Sequence, residues 1–215
     1  MTDTLTHLHG HHGDFEDFAQ LMQQTAAGRF TPVFWGVWQQ YIAPALPQQG
    51  RVVDLGCGPG GLFGPLRRAH PLAQIVGVEY QPAMLRAAQE IAQSLEITLV
   101  TADLAQPLPL PDGYADVAVA VMVLHELLDP ISLLRDTHRL LRGGGAMLIY
   151  DWVHQPLRRY RKGEALDADV LQHFREHCLY TPDDLAFMAE SAGFVVQEVI
   201  GRKNGDYAML ALTKP

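Results

Sequence analysis

The chain has 215 residues, 48% of them hydrophobic and 19% charged, with 16 Lys and Arg against 24 Asp and Glu for a net charge of −8. Such a chain builds one full core, or one core and a small cap, and this excludes a disordered protein, a fibre and a small disulfide scaffold. The acidic balance removes any general attraction for nucleic acid or an anionic membrane.

Two cysteines, Cys57 and Cys178, and an N-terminus without a secretory pattern point to a reducing cytoplasm. The longest apolar run, 117–124, is too short to span a bilayer, so no membrane insertion is expected. Residues 1–13 carry His7, His9, His11 and His12 without apolar periodicity and read as a flexible tail. From Asp14, a candidate N-cap, Phe15, Phe18, Ala19 and Met22 fall on one helix face. A second helical segment, 32–43, carries Phe34, Trp35, Trp38 and Tyr41 before Pro44, Pro47 and Gly50 break it. Residues 14–50 thus form an N-terminal helical cap, with Trp35 and Trp38 as candidate walls for an apolar acceptor.

Beyond residue 50, strand and helix alternate. Strands are predicted at 51–55, 74–79, 97–102, 115–123 and 146–151, and helices at 61–69, from Pro82, from Asp129-Pro130, and from Thr181 to Gly193. Two last strands, 194–200 and 207–213, flank Asn204-Gly205, a hairpin signal. The pattern predicts an α/β fold, a doubly wound parallel sheet closed by an antiparallel hairpin, with its ligand beyond the carboxyl ends of the strands. Glycines concentrate at 56–64 and 143–145, the second group reading as the turn before strand five.

The first strand leads into Gly56, Gly58 and Gly61, a G-x-G-x-x-G spacing. That spacing alone leaves a nicotinamide-dependent dehydrogenase open. Asp54 argues against it, because a carboxylate two residues before the first glycine would stand near a pyrophosphate, whereas a cationic ligand would welcome it. The run 52–61 resembles the first motif of the class I S-adenosylmethionine-dependent methyltransferases, and the element order from 51 to 213 is similar to that family's core. The resemblance implies a Rossmann-like seven-stranded sheet in three α/β/α layers. It also implies S-adenosyl-L-methionine as cofactor, S-adenosyl-L-homocysteine as product, and a small-molecule acceptor. Asp54 would then face the methionine ammonium group, with Gly56, Cys57 and Gly58 forming the loop. Glu79 would take the ribose hydroxyls beside Tyr80, and Asp103 and Leu104 would hold the adenine.

Methyl transfer from a sulfonium is an in-line displacement that needs alignment and desolvation more than a catalytic group. The acceptor is expected over strands four and five. There His125 is the candidate base or orienting group, with Asp151 and Trp152 as candidate substrate contacts. The core, 51–215, holds a lid-like insertion at 153–180. Its Arg158, Arg159, Arg161 and Lys162 read as a solvated face. Its 173–177 stretch spells H-x-x-E-H, but no third ligand follows at a recognisable spacing, so a lid helix and no metal are expected. The acceptor atom stays open among O, N, C and S, and so does the choice between monomer and homodimer. A cofactor-binding protein with other chemistry, or with a sensing role, is the alternative.

Overall fold

The protein is described by a computed structural model covering residues 15–156, 159, 161, 162, 165, 166, 177 and 179–215. The histidine-rich stretch 1–13, Asp14, Arg158, residues 173–176 of the histidine motif and Cys178 lie outside the described residues.

Five strands form the parallel part of the sheet: β1 (Arg51–Leu55), β2 (Gln74–Glu79), β3 (Thr98–Thr101), β4 (Ala115–Val121) and β5 (Leu141–Trp152). A short antiparallel ribbon, β6 (Arg161–Lys162) with β7 (Ala165–Leu166), lies within the insertion. The closing hairpin is β8 (Val195–Arg202) and β9 (Tyr207–Thr213), turning through Asn204 and Gly205 at φ 61° and 94°. Both values lie in the left-handed region that asparagine and glycine tolerate, which is why that pair marks the turn. The sheet order is β3-β2-β1-β4-β5-β9-β8, with β9 antiparallel to both β5 and β8. Strand order reverses between β1 and β4, the position where such sheets open a crevice.

Helices begin where the chain supplies caps. In α4 (Pro82–Ser94), Gln81 accepts from Ala83 N at 2.5 Å and Met84 N at 3.1 Å. In α5 (Pro130–Leu140), Asp129 accepts from Ser132 N at 3.2 Å, and α6 (Pro182–Ser191) opens on a Thr181–Asp184 capping box. Each has proline at its first position, where the missing N–H costs nothing. One face of the sheet is covered by α5 and α6, through Leu133, Leu134, Leu185 and Met188. The other is covered by α2 (Pro32–Val37), α3 (Phe63–Ala69) and α4, through Phe34, Phe63, Leu66 and Ala88. These are the expected three layers. The first helix, α1 (Phe15–Thr25), packs Phe15 and Ala19 on Ala83 and Met84 of α4.

The helical segment expected over 32–43 is α2 followed by a π turn, Trp38–Ile42. That turn places both Trp38 and Ile42 in the core, and Trp38 Nε1 donates to His70 Nε2 at 2.8 Å. The glycines 143–145 are not the turn before β5 but a bulge inside it. Pairing steps from Ala115↔Leu141 to Val117↔Ala146, with Gly144 at φ 76°. A Cβ on Gly145 would stand 2.9 Å from Arg142 O and 3.0 Å from Asp116 O, so the chain needs glycine to make that step.

Candidate active site

A cavity of about 440 Å³ opens where strand order reverses, bounded by the ends of β1, β2 and β4 and covered by α1. That volume suits a cofactor-sized ligand. Asp54, Gly56, Cys57, Gly58, Glu79, Tyr80, Asp103, Leu104, His125 and Trp152 all line it.

On the glycine-loop side, Gly56 N and Cys57 N both donate to Val78 O, at 2.8 and 3.0 Å, which ties the loop to the end of β2. Gly56 (φ 67°) would put a Cβ 2.6 Å from Val123 Cγ2. A Cβ on Gly58 (φ 52°) would meet no protein atom within 4 Å, so the loop is open there. Glu79 accepts from Gly58 N at 2.9 Å and from Tyr80 N and Gln81 N at 2.8 Å each. A carboxylate has about four acceptor positions, so one further donor can be taken without disturbing the loop. Burial raises the Glu79 pKa against the lowering effect of those three N–H groups. Asp54 is 3% exposed, and burial, then Glu79, push its pKa up to about 8. A buried carboxylate beside a half-buried one is costly to ionise unless a cation joins them. Asp103 sits half-buried past β3 and accepts from Ala105 N at 2.9 Å. Burial, then Asp54 and Glu79, raise the Cys57 thiol well above its ordinary value, so it stays protonated.

Across the cavity, the chain leaves β4 through Met122 at φ 61°, an unfavourable conformation for a side chain with a Cβ. A 3₁₀ turn, Leu124–Glu126, then presents His125 and Glu126. Asp151, 1% exposed at the end of β5, holds this turn. It accepts from Leu124 N at 2.6 Å, Trp152 N at 2.8 Å and Val123 N at 3.3 Å. It also lies 2.5 Å from His125 Nδ1, which donates to it. Burial alone would lower the His125 pKa; Asp151, then Glu126, outweigh it and carry it to about 10. Glu126 Oε1 stands 3.2 Å from His125 Nε2 and 3.3 Å from Nε2 of His177, a residue of the insertion. The Trp152 ring meets both imidazoles edge-on, at centroid distances of 6.2 and 5.9 Å.

Three sequence candidates sit elsewhere. Trp38 is fully buried in the layer over the sheet, and Trp35 packs edge-on against it at 5.8 Å, so neither lines the cavity. The apolar face of their segment is used on the sheet instead. Asp151 lies behind His125, spent on backbone and imidazole. The sequence reading missed Glu126, the place of His177, and the cavity contacts of Arg29 and Tyr207. The one available signal was the acid adjoining His125.

A glycine loop tied to β2, acids at the ends of three neighbouring strands and a seven-stranded sheet with this order define a class I S-adenosylmethionine-dependent methyltransferase. The chain belongs to that family: residues 28–199 match the methyltransferase domain. It is 33% identical over 186 residues to the ubiquinone/menaquinone biosynthesis C-methyltransferase UbiE of Caulobacter vibrioides, covering 74% of this chain and 73% of that one. It is 30% identical over 139 residues to a malonyl-[acyl-carrier protein] O-methyltransferase of Legionella pneumophila, covering 64% and 45%. Among solved structures, it shares its fold with the methyltransferase bound to the Haloferax volcanii Trm112 activator. The TM-score is 0.75 at 14% identity, over 94% of this chain and 98% of that one. The chain is thus an enzyme that uses S-adenosylmethionine, and the dehydrogenase reading falls away. No helix among the described residues is long and apolar enough to cross a membrane.

Proposed function

We propose that the chain methylates a small, mainly apolar acceptor bearing an acidic hydroxyl, with a phenol or hydroquinone as the best-fitting class. The observation behind this reading is the contrast within the cavity wall. Phe15, Phe18, Met22, Phe30 and Leu127 supply apolar surface, and the His125–Glu126–His177 cluster is set into it. The similarity to a C-methyltransferase of ubiquinone and menaquinone biosynthesis supports a ring carbon as the receiving atom.

The residues present fit the cofactor. Asp54 and Glu79 place negative charge where a cationic ligand offsets the cost of burying both. Gly56 and Gly58 keep the loop backbone open to it. Glu79 has room for one ribose hydroxyl directly, and a second requires the Gly58 N–H to yield. Asp103 and Leu104 bound the adenine end, beside Cys57 and Tyr80. S-Adenosylmethionine, when bound, supplies a methyl group on a cationic sulfur that is already a good leaving group.

The apolar walls exclude water. Exclusion favours a reaction in which an anionic nucleophile and a cation neutralise one another. In the His125–Glu126–His177 cluster, His125 keeps its proton between Asp151 and Glu126 and orients the acceptor oxygen, Glu126 takes the hydroxyl proton, and Asp151 keeps His125 in place as a positioning residue. Trp152 forms the wall beside the cluster. A methyl-transfer screen across phenols, hydroquinones, amines, thiols and carboxylic acids tests this. Methylated phenol or hydroquinone with equimolar S-adenosylhomocysteine is expected. Turnover confined to amines or carboxylic acids would contradict it.

A further inference from the structure

The sequence reading expected no metal, yet the fold gathers His125, Glu126 and His177 so that their ligand atoms all lie within 4.8 Å of one another. We propose that these three residues bind a divalent transition-metal cation whose open positions hold the acceptor's oxygen. The role given to the ion rests on the acceptor reading above; its binding does not.

Spacing supports it first. Glu126 Oε1 is 3.2 Å from His125 Nε2 and 3.3 Å from His177 Nε2. Neighbouring ligands around a tetrahedral ion with bonds near 2.0–2.1 Å stand about 3.3 Å apart. The two edges at Glu126 match that spacing, and the third, between the imidazoles, lies within 4.8 Å. The donor set comes next. Two imidazoles and one carboxylate suit zinc or ferrous iron, leave positions open, and do not suit magnesium or calcium, which prefer all-oxygen sites.

The surroundings match as well. Metal-bound histidines usually donate their other ring N–H to a carboxylate, which fixes tautomer and orientation. Asp151 does this for His125 at 2.5 Å, leaving Nε2 for the ion. His125 and His177 are 5% and 8% exposed. All three ligands line the same cavity as the glycine loop, so an open position faces the acceptor space. A hydroxyl bound there gives up its proton to water more readily than a free one. The H-x-x-E-H stretch thus contributes through its last histidine, joined to a pair from the β4 loop.

The tail histidines His7, His9, His11 and His12 would bind metal on their own, so the test starts from the full chain with those four changed to Ala. After chelation and dialysis against Co²⁺, the expected result is one Co²⁺ per chain with a visible ligand-field spectrum. Stoichiometric uptake should be lost in Glu126→Gln and His177→Ala, while calorimetry shows S-adenosylhomocysteine bound as by the parent. Should His177→Ala fail to fold, the isosteric Glu126→Gln carries the comparison. No uptake by the parent, or equal uptake by parent and Glu126→Gln, overturns the proposal. Intact S-adenosylhomocysteine binding without metal would mean a proton-sharing cluster. Absent S-adenosylhomocysteine binding would instead strike the cofactor site.

Discussion

The glycine-loop half of the cavity is assembled from consecutive strand ends between residues 54 and 104, whereas the opposite half joins His125 and Glu126 after β4 to His177 from the insertion, with Asp151 of β5 behind them. The first half works through backbone: Gly56 and Cys57 N–H groups bound to Val78 O, and three N–H groups around Glu79. Such constraints are local, and they dictate glycines and acids at fixed spacing. The second half works through side chains converging from distant segments, with chemistry that varies with the acceptor. In the function proposed above, the first half serves the cofactor and the second serves the acceptor.

The comparison breaks most visibly if the halves are not separable. Removing a proton-handling or acceptor-holding group costs about 10²–10⁴-fold in rate, so Glu126→Gln and His125→Ala are expected to lose turnover on that scale. S-Adenosylhomocysteine affinity should stay within about threefold of wild type, well below the tenfold that 1.4 kcal/mol would bring. Steady-state kinetics beside calorimetry checks both. A hydrogen bond to a charged group contributes about 1.5–3 kcal/mol, roughly tenfold or more in affinity. Glu79→Ala is expected to weaken cofactor binding by that much, read by calorimetry.

Protonation sharpens the contrast further. Asp54 has a folded pKa of about 8, above its unfolded value near 4. Its burial therefore costs the ligand-free protein stability progressively as pH climbs through that window, and the loss levels off above it. Asp54→Asn should melt higher than wild type by a margin that grows from pH 4 to 8 and then holds, as thermal denaturation across pH would show. A cationic ligand favours the ionised form, so cofactor binding at pH 7 should release a proton in the wild type and none from Asp54→Asn. Titration calorimetry in two buffers of different ionisation enthalpy measures that.

The smallest effect belongs to a residue outside both halves. Trp38→Phe removes the N–H that His70 accepts and should cost about 1 kcal/mol, seen as a lower melting temperature, with cofactor affinity and turnover unchanged. A change in KM for the acceptor would return Trp38 to the site.

The same division explains what could be read from sequence. Strands β1, β2 and β9 fall at the expected residues, and Pro82, Asp129-Pro130 and Thr181-Pro182 start their helices as expected, because each signal lies within a few residues of its effect. The bulge at 143–145 was not legible. A glycine run reads equally as a turn, and only pairing with β4 decides. Trp35 and Trp38 were ambiguous because helix-spaced aromatics serve a core or a pocket alike; the π turn buries Trp38 in the core, and half-buried Trp35 packs against it. His177 was visible only within a local motif, while its actual partner lies 51 positions away on another element.

The most direct test titrates S-adenosylhomocysteine by calorimetry into wild type, Glu79→Ala and Glu126→Gln under one set of conditions. The account predicts one site in the wild type, an affinity at least about tenfold weaker in Glu79→Ala, and wild-type affinity in a Glu126→Gln protein whose turnover has fallen about 10²–10⁴-fold. Equal loss of affinity in both variants, or full affinity in Glu79→Ala, would contradict it.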